Sequence, residues 1–311
     1  MHALAVVLDR PEQLGLDRLA LDAPGAGDAV VEVAWSGIST GTERLLWSGR
    51  MPDFPGMGYP LVPGYESVGR VVEAGAASGR RVGETVFVPG ARCFGPVRGL
   101  FGGAASHLVV DGARLVPVAP RLGAEAVLLA LAATAHHALG ALDAGPSLIV
   151  GHGVLGRLLA RLTRLAGGEP VVWEREAARI AGDHGYPVID PDSDPQRRYA
   201  RITDASGDAG LLDGLIARLA PGGEVVLAGF YEAPLSFAFP PAFLREARIR
   251  VAAQWRPEDL AAVAALAQSG RLALDGLITH RAPAGTAPEA YRTAFRDPAC
   301  LKMILDWSAR P

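Results

Sequence analysis

Hydrophobic and polar positions change rhythm once along this chain. Up to about residue 118 the apolar stretches are short and alternate with polar positions, the pattern of strands with one buried face. The segments 29–39 (AVVEVAWSGIS), 67–75 (SVGRVVEAG), 84–90 (ETVFVPG) and 106–118 (SHLVVDGARLVPV) have Gly or Pro between them, which predicts a β-rich, barrel-like unit. Near Pro120 the texture shifts. Residues 123–142 are alanine-rich and free of internal Pro or Gly until Gly140, so the pattern predicts a long helix.

Beyond it, short apolar strands alternate with amphipathic helices. SLIVG leads to VLGRLLARLTRLAGG, PVVWE to REAARIAGDHG, RITDASG to AGLLDGLIARLAPGG, and EVVLAGF follows. Such alternation predicts a parallel sheet covered on both faces. Residues 257–270 predict one more helix, followed by DGLITHRAP. The tail, APEAYRTAFRDPACLKMILDW, reads as a helix, a Pro-marked turn and a final apolar stretch.

The strongest motif is G-x-G-x-x-G at Gly151, Gly153 and Gly156. It follows an apolar strand and opens a helix, the context in which glycines bind a dinucleotide. The pyrophosphate of such a ligand sits at the helix N-terminus, here near Val154 and Leu155. The next strand ends at Glu174, where a carboxylate accepts hydrogen bonds from ribose hydroxyls and repels a 2′-phosphate. NAD is therefore expected over NADP, with Arg175 as the residue that argues the other way. Ser206, Gly207, Gly229 and Phe230 end later strands and are candidates to line the nicotinamide half of the site.

Composition narrows the partners. The 311 residues are 50% hydrophobic and 20% charged, enough for large cores. A net charge of −3 gives no electrostatic reason to expect nucleic acid. Mean hydropathy is +0.21. No apolar run of about 18 residues is free of Arg, Asp, Pro and Gly, so no membrane span is expected. The first residues lack the basic start of a signal peptide. A cytoplasmic protein is expected, with contact at a membrane surface left open. Two cysteines, Cys93 and Cys300, exclude a disulfide framework and a multi-cysteine zinc cluster. His136 and His137 face different sides of a helix and make a poor chelate; one is expected buried and one exposed.

With both halves assembled, the chain resembles the medium-chain dehydrogenase/reductase superfamily over its full length. GISTGTE looks like the loop that usually carries a zinc-ligand Cys, and VPGYESVGRVVEAG like the PGHE turn; FGGAASHLVV and GLITHRAP also match. The resemblance implies an α/β protein with a β-rich, GroES-like catalytic domain over 1–119 and 279–311. A Rossmann, doubly wound parallel-sheet domain over 120–278 completes it. Within the superfamily the chain resembles in particular the bacteriochlorophyllide a dehydrogenases of bacteriochlorophyll biosynthesis. The resemblance lies in SGISTGTERLLWSGRMPDFPGMGYPLVPGYE, GLFGGA, LIVGHGVLGRLLARLT, DASGD, GGEVVLAGFY and DGLITHR…CLKMILDW. It implies oxidation of the 3-(1-hydroxyethyl) group of a bacteriochlorophyllide to 3-acetyl with reduction of NAD, and a homodimer paired through the Rossmann domain.

The departures set the chemistry. Ser39 stands for the usual ligand Cys, Tyr65 for the usual ligand His, and the third position falls near Ala130. Catalytic zinc needs three N, S or carboxylate ligands, so a zinc-free site is expected. Tyr65 would then hydrogen-bond the substrate oxygen, with Ser39, Thr40 and Thr42 relaying the proton and Glu66 polarising the array. Tyr65 and Glu66 can equally be structural, tied to backbone or an arginine. Trp47, Met51, Phe54, Met57 and Tyr59 form a local aromatic and methionine cluster suited to a flat macrocycle, joined by Phe101 and Trp255. The competing readings are an alcohol or polyol dehydrogenase with an unusual zinc site, built from Glu66 and a histidine, and a zinc-free quinone or enone reductase.

Overall fold

A computed structural model of the chain describes residues 1–53, 55–140, 147–196 and 198–308. It divides into two units, Met1–Ala130 with Leu274–Pro311, and Leu131–Ala273.

The first unit opens with an antiparallel hairpin of β1 (His2–Arg10) and β2 (Gln13–Ala20), which the pattern of the first residues did not announce. β3 (Asp28–Ile38) follows and runs into α1 (Thr42–Ser48). Then come β4 (Leu61–Val62), β5 (Ser67–Ala74), β6 (Thr85–Val88), β7 (Arg98–Gly99), β8 (His107–Asp111) and β9 (Val116–Pro117). α2 (Leu129–Leu139) carries the chain into the second unit. That unit contains β10 (Ser147–Val150), α3 (Val154–Leu165), β11 (Pro170–Trp173), α4 (Ala177–Ile180), β12 (Val188–Ile189) and β13 (Tyr199–Asp204). It continues with α5 (Leu212–Ala217), β14 (Leu219–Leu227), α6 (Phe239–Leu244), β15 (Arg248–Val251) and α7 (Pro257–Gln268). The chain then returns to the first unit with β16 (His280–Pro283), α8 (Ala287–Arg296) and β17 (Met303–Asp306).

In the first unit, β17 pairs antiparallel with β3, and β3 with β5 and β8. A chain end laid beside β3 is what brings residue 302 next to residue 38. Val30, Val31, Val33, Val71, Val86 and Leu108 are buried, 0–3% exposed. Each such side chain contributes about 1.5–3 kcal/mol by leaving water.

In the second unit the described strands form a parallel sheet in the order β12-β11-β10-β13-β14-β15. From β10 the chain winds outward to β12, then returns to pair β13 on the other side of β10. The strand order reverses there, and the carboxyl ends of β10 and β13 mark the place where such sheets bind ligands.

The helix expected over 123–142 is broken. A 3₁₀ stretch, Pro120–Leu128, contains Gly123 at φ 49°, and regular α-helix begins only at Leu129. Residues 141 and 142 lie outside the described ones. The stretch Pro120–Leu139 is long and apolar enough to cross a membrane by composition, but 67% of its apolar window is buried inside the protein. His136 and His137 are not divided into a buried and an exposed residue. Both remain partly exposed, and both bond the one carboxylate of Asp259, at 2.7 and 2.9 Å.

Candidate active site

Tyr65 and Glu66 occupy the short link between β4 and β5. The two side chains make separate contacts. The Tyr65 hydroxyl donates to Ser39 Oγ at 2.6 Å and also hydrogen-bonds Thr42. Its ring stands edge-on to Phe101, centroids 5.2 Å apart. The structure thus brings Ser39, Thr42, Tyr65 and Phe101 together; Thr40 follows Ser39 in the turn and is half-buried.

Glu66 is fully buried against Lys302, whose Nζ lies 2.7 and 3.0 Å from the two carboxylate oxygens. The same Nζ donates to the Ile38 carbonyl at 3.2 Å. Lys302 is the only lysine in the chain; every other basic residue among the 30 Lys and Arg is arginine. An ammonium has three donors on one compact centre, matching three converging acceptors, where a planar guanidinium would not. Gly37 makes the room: a Cβ there would lie 2.2 Å from Glu66 Oε2.

A second buried carboxylate was not singled out by the sequence. Glu43, in the first turn of α1, accepts the Ser39 N–H at 3.0 Å and the Tyr291 O–H at 2.8 Å. Burial is the main cause that pushes its carboxyl up to about 7, and the nearby Glu66 charge adds to this. Burial, then the Glu66 charge, holds the Tyr65 phenol well above its ordinary range. Of the two roles open to Tyr65, phenolate base or protonated hydrogen-bond partner, only the second fits this environment.

Trp47, Met51, Met57, Tyr59 and Phe101 gather around buried Leu8, Leu46, Leu61 and Leu100. Tyr59 donates to the Leu46 carbonyl at 2.5 Å, and Trp47 packs on Phe295 with centroids 5.6 Å apart. Phe54 lies outside the described residues. Trp255 is half-buried in the second unit, ahead of α7.

The glycine turn lies between β10 and α3. At Gly156 a Cβ would stand 1.9 Å from the Gly151 carbonyl, so helix and turn approach as only glycine permits. At Gly153 a Cβ position meets nothing within 4 Å, and no side chain caps α3. Val154 and Leu155 start this uncapped helix, whose free N–H groups suit a pyrophosphate. Glu174 follows β11 and accepts the N–H groups of His152 (3.1 Å), Arg175 (2.8 Å) and Glu176 (3.1 Å). Arg175 extends outward toward Asp192, 3.7 Å away. These residues fit a dinucleotide.

Ser206, Gly207 and Gly229 meet where β13 and β14 end; the Cβ position of Gly229 is 2.7 Å from Gly207 N. Phe230 is 40% exposed beside them. The anchor is buried Asp204, which accepts from Ser206 N and Oγ and from the Tyr231 hydroxyl. Asp204, the first residue of DASGD, and Tyr231, the last of GGEVVLAGFY, were not singled out in the sequence.

A zinc ion does not fit the first unit's donors. Among the described residues no group of three or more His, Cys, Asp or Glu side chains could hold a metal. Ser39 and Tyr65 bond each other, Glu66 is committed to Lys302, and Ala130 has no donor.

Residues 25–120 match the alcohol dehydrogenase GroES-like domain. Over 310 residues the chain is 59% identical to the 2-desacetyl-2-hydroxyethyl bacteriochlorophyllide A dehydrogenase of Rhodobacter capsulatus, covering 99% of each. It is also 59% identical, over 316 residues and 99% of each, to the enzyme of the same name from Cereibacter sphaeroides. The chain belongs to this dehydrogenase family. Its fold is shared more widely across the medium-chain dehydrogenase/reductase superfamily. A structure described as a short chain alcohol dehydrogenase from Escherichia coli CFT073, complexed with NADH, superposes with a TM-score of 0.85 at 21% identity, covering 98% of this chain and 99% of the other.

Proposed function

We propose that the chain oxidises the 3-(1-hydroxyethyl) substituent of a bacteriochlorophyllide to 3-acetyl, as a step of bacteriochlorophyll biosynthesis, at a metal-free site. The observation that carries this reading is the 59% identity, over nearly the whole chain, to two dehydrogenases named for such a substrate. The cofactor is a nicotinamide dinucleotide, held at Gly151–Gly156; when bound, it supplies the hydride acceptor. Glu174, fixed by three backbone N–H groups, supports NAD over NADP.

The first unit handles the proton. Tyr65 donates to Ser39, and the substrate hydroxyl would donate to the Tyr65 oxygen beside Thr42. As the substrate O–H bond breaks, its proton passes to Tyr65 while Tyr65 passes its own to Ser39 Oγ. Ser39 releases its proton through Thr40 and Thr42 toward water. No phenolate forms, in keeping with the raised phenol. Glu66, neutralised by Lys302, sets the field around Tyr65 and stays outside the relay. Trp47, Met51, Phe54, Met57, Tyr59, Phe101 and Trp255 remain the residues proposed for the macrocycle.

The protein is proposed to be cytoplasmic and homodimeric. Among the described residues β15 is the edge of its sheet, and Val251 on it and Phe239, Phe243 and Leu244 of α6 are 65–79% exposed. A second copy of this edge supplies the missing strand partners; sedimentation as a monomer at micromolar concentration would remove this reading.

The test is spectroscopic. NAD and a 3-hydroxyethyl bacteriochlorophyllide should give NADH together with the red-shifted absorption of a conjugated acetyl group. Tyr65→Phe should lower kcat roughly 10²-fold, the scale of a positioned proton-transfer group. Full turnover by this variant would refute the hydroxyl relay, and no NADH from the wild type would refute the activity.

A further inference from the structure

Glu43 is buried beside the proton path and takes no part in it. The residue opens α1, yet its side chain turns back along the chain. One carboxylate oxygen takes the Ser39 N–H at 3.0 Å. The other takes the hydroxyl of Tyr291, which lies 248 residues further along on α8, at 2.8 Å. Glu43 and Tyr291 are each 1% exposed, so neither bond is exchanged with water. Ser39 is the residue whose Oγ meets the Tyr65 hydroxyl at 2.6 Å. Its backbone is gripped by Glu43, and Glu43 is gripped by α8.

Both carboxylate oxygens act as acceptors here, and each has a donor aimed at it. The arrangement has the form of a clamp: a fixed length of side chain spans from α8 to the turn after β3. A displacement of about 1 Å in a reacting group can cost 10²-fold in rate, so the length of this span matters to any proton transfer through Ser39. We infer that Glu43 is a positioning residue for the alcohol oxidation, holding Ser39 Oγ where Tyr65 can hand it a proton. The inference rests on the hydroxyl relay proposed above.

Reach and charge separate in two conservative variants. Glu43→Gln keeps the reach: its amide oxygen accepts from Ser39, and its NH₂ donates to Tyr291, whose hydroxyl also accepts. Glu43→Asp keeps the charge and is one methylene short. Glu43→Gln should hold kcat within about threefold of wild type, and Glu43→Asp should lose roughly 10- to 100-fold, with KM for NAD unchanged in both. Tyr291→Phe, which leaves the Ser39 bond in place, should lose about three- to tenfold in kcat. An active Asp variant beside an inactive Gln variant would overturn the inference, as would equal and full activity of both. In a double-mutant cycle, Glu43→Asp should add little to Tyr65→Phe, because both disable one relay. Losses that multiply would overturn the positioning role and leave the relay standing. A fully active Tyr65→Phe enzyme would remove the relay, and this inference with it.

Discussion

Replacing Lys302 by methionine withdraws the only positive charge bonded to Glu66 among the described residues and leaves a carboxylate at 0% exposure without it. Methionine has nearly the length of the lysine stem, so the cavity term is small and the loss reports on charge. A buried pair broken from one side typically costs about 3–5 kcal/mol, because desolvation of the survivor is no longer offset. The Ile38 carbonyl also loses a donor, worth about 1 kcal/mol. The expected loss is therefore about 4–6 kcal/mol, or a midpoint of thermal unfolding lower by roughly 10 °C. Lys302→Arg should not rescue it, since a planar fork cannot serve three acceptors that converge on one nitrogen. Glu66→Leu combined with Lys302→Met should recover much of the loss, since an apolar pair of similar volume needs no desolvation. Urea unfolding at pH 7, followed by tryptophan fluorescence, measures all four variants, the wild type included. A Lys302→Met protein within about 1 kcal/mol of wild type, or a double variant no better than the single one, would refute the reasoning.

Two further outcomes are expected. Glu174→Gln should lower the preference for NAD over NADP about tenfold in kcat/KM, because a neutral amide no longer repels a 2′-phosphate; an unchanged ratio would remove Glu174 from cofactor choice. Stability should also follow Glu43, whose carboxyl is held at about 7 against an ordinary 4.5. A raised value means that the folded state binds the proton more tightly. The contribution is complete below pH 4.5 and is lost as pH rises through about 7, at up to ~1.4 kcal/mol per pH step. Glu43→Gln should flatten the urea midpoint across that window.

What could be read from the sequence was local. Alternating valines located β3, β5 and β6, and the glycine turn announced itself because three glycines, a strand and a helix lie within a few residues. Tyr65 and Ser39 were legible as hydroxyls standing where ligands usually stand, with Thr42 beside them as a candidate relay. Glu66 was legible as an acid in a segment that otherwise reads as buried, and its contact is with Lys302. Its partner lies 236 residues away, and no periodicity reports a contact made through a returning strand. A signal was nonetheless present. A single lysine inside CLKMILDW, in a chain that otherwise uses arginine, is a charge that an apolar strand must pair. Glu43 left a similar trace, an acid one helical turn before buried Leu46 on the same face of α1.

The electrostatics of the first unit restrict which alcohols it can oxidise. Lys302 is spent on Glu66, and Glu43 brings a second carboxyl near the relay. Ser39 and Thr42, the hydroxyls that bond Tyr65, carry no positive charge to offer an alkoxide, the service a metal ion usually performs. The proposed hydroxyl relay takes a proton only as the hydride departs, which would make the carbinol carbon electron-poor early. A substituent that delocalises positive charge then lowers the barrier from the substrate side, and a carbinol attached to a conjugated macrocycle does so strongly. A secondary alcohol beside an aromatic ring, such as 1-phenylethanol, should therefore be oxidised at least about tenfold faster in kcat than 2-butanol, although both lack the macrocycle. An electron-withdrawing ring substituent should slow the aromatic series. If saturated and aromatic alcohols react alike, something in the site stabilises the alkoxide directly, and the charge balance drawn from Lys302, Glu66 and Glu43 is wrong.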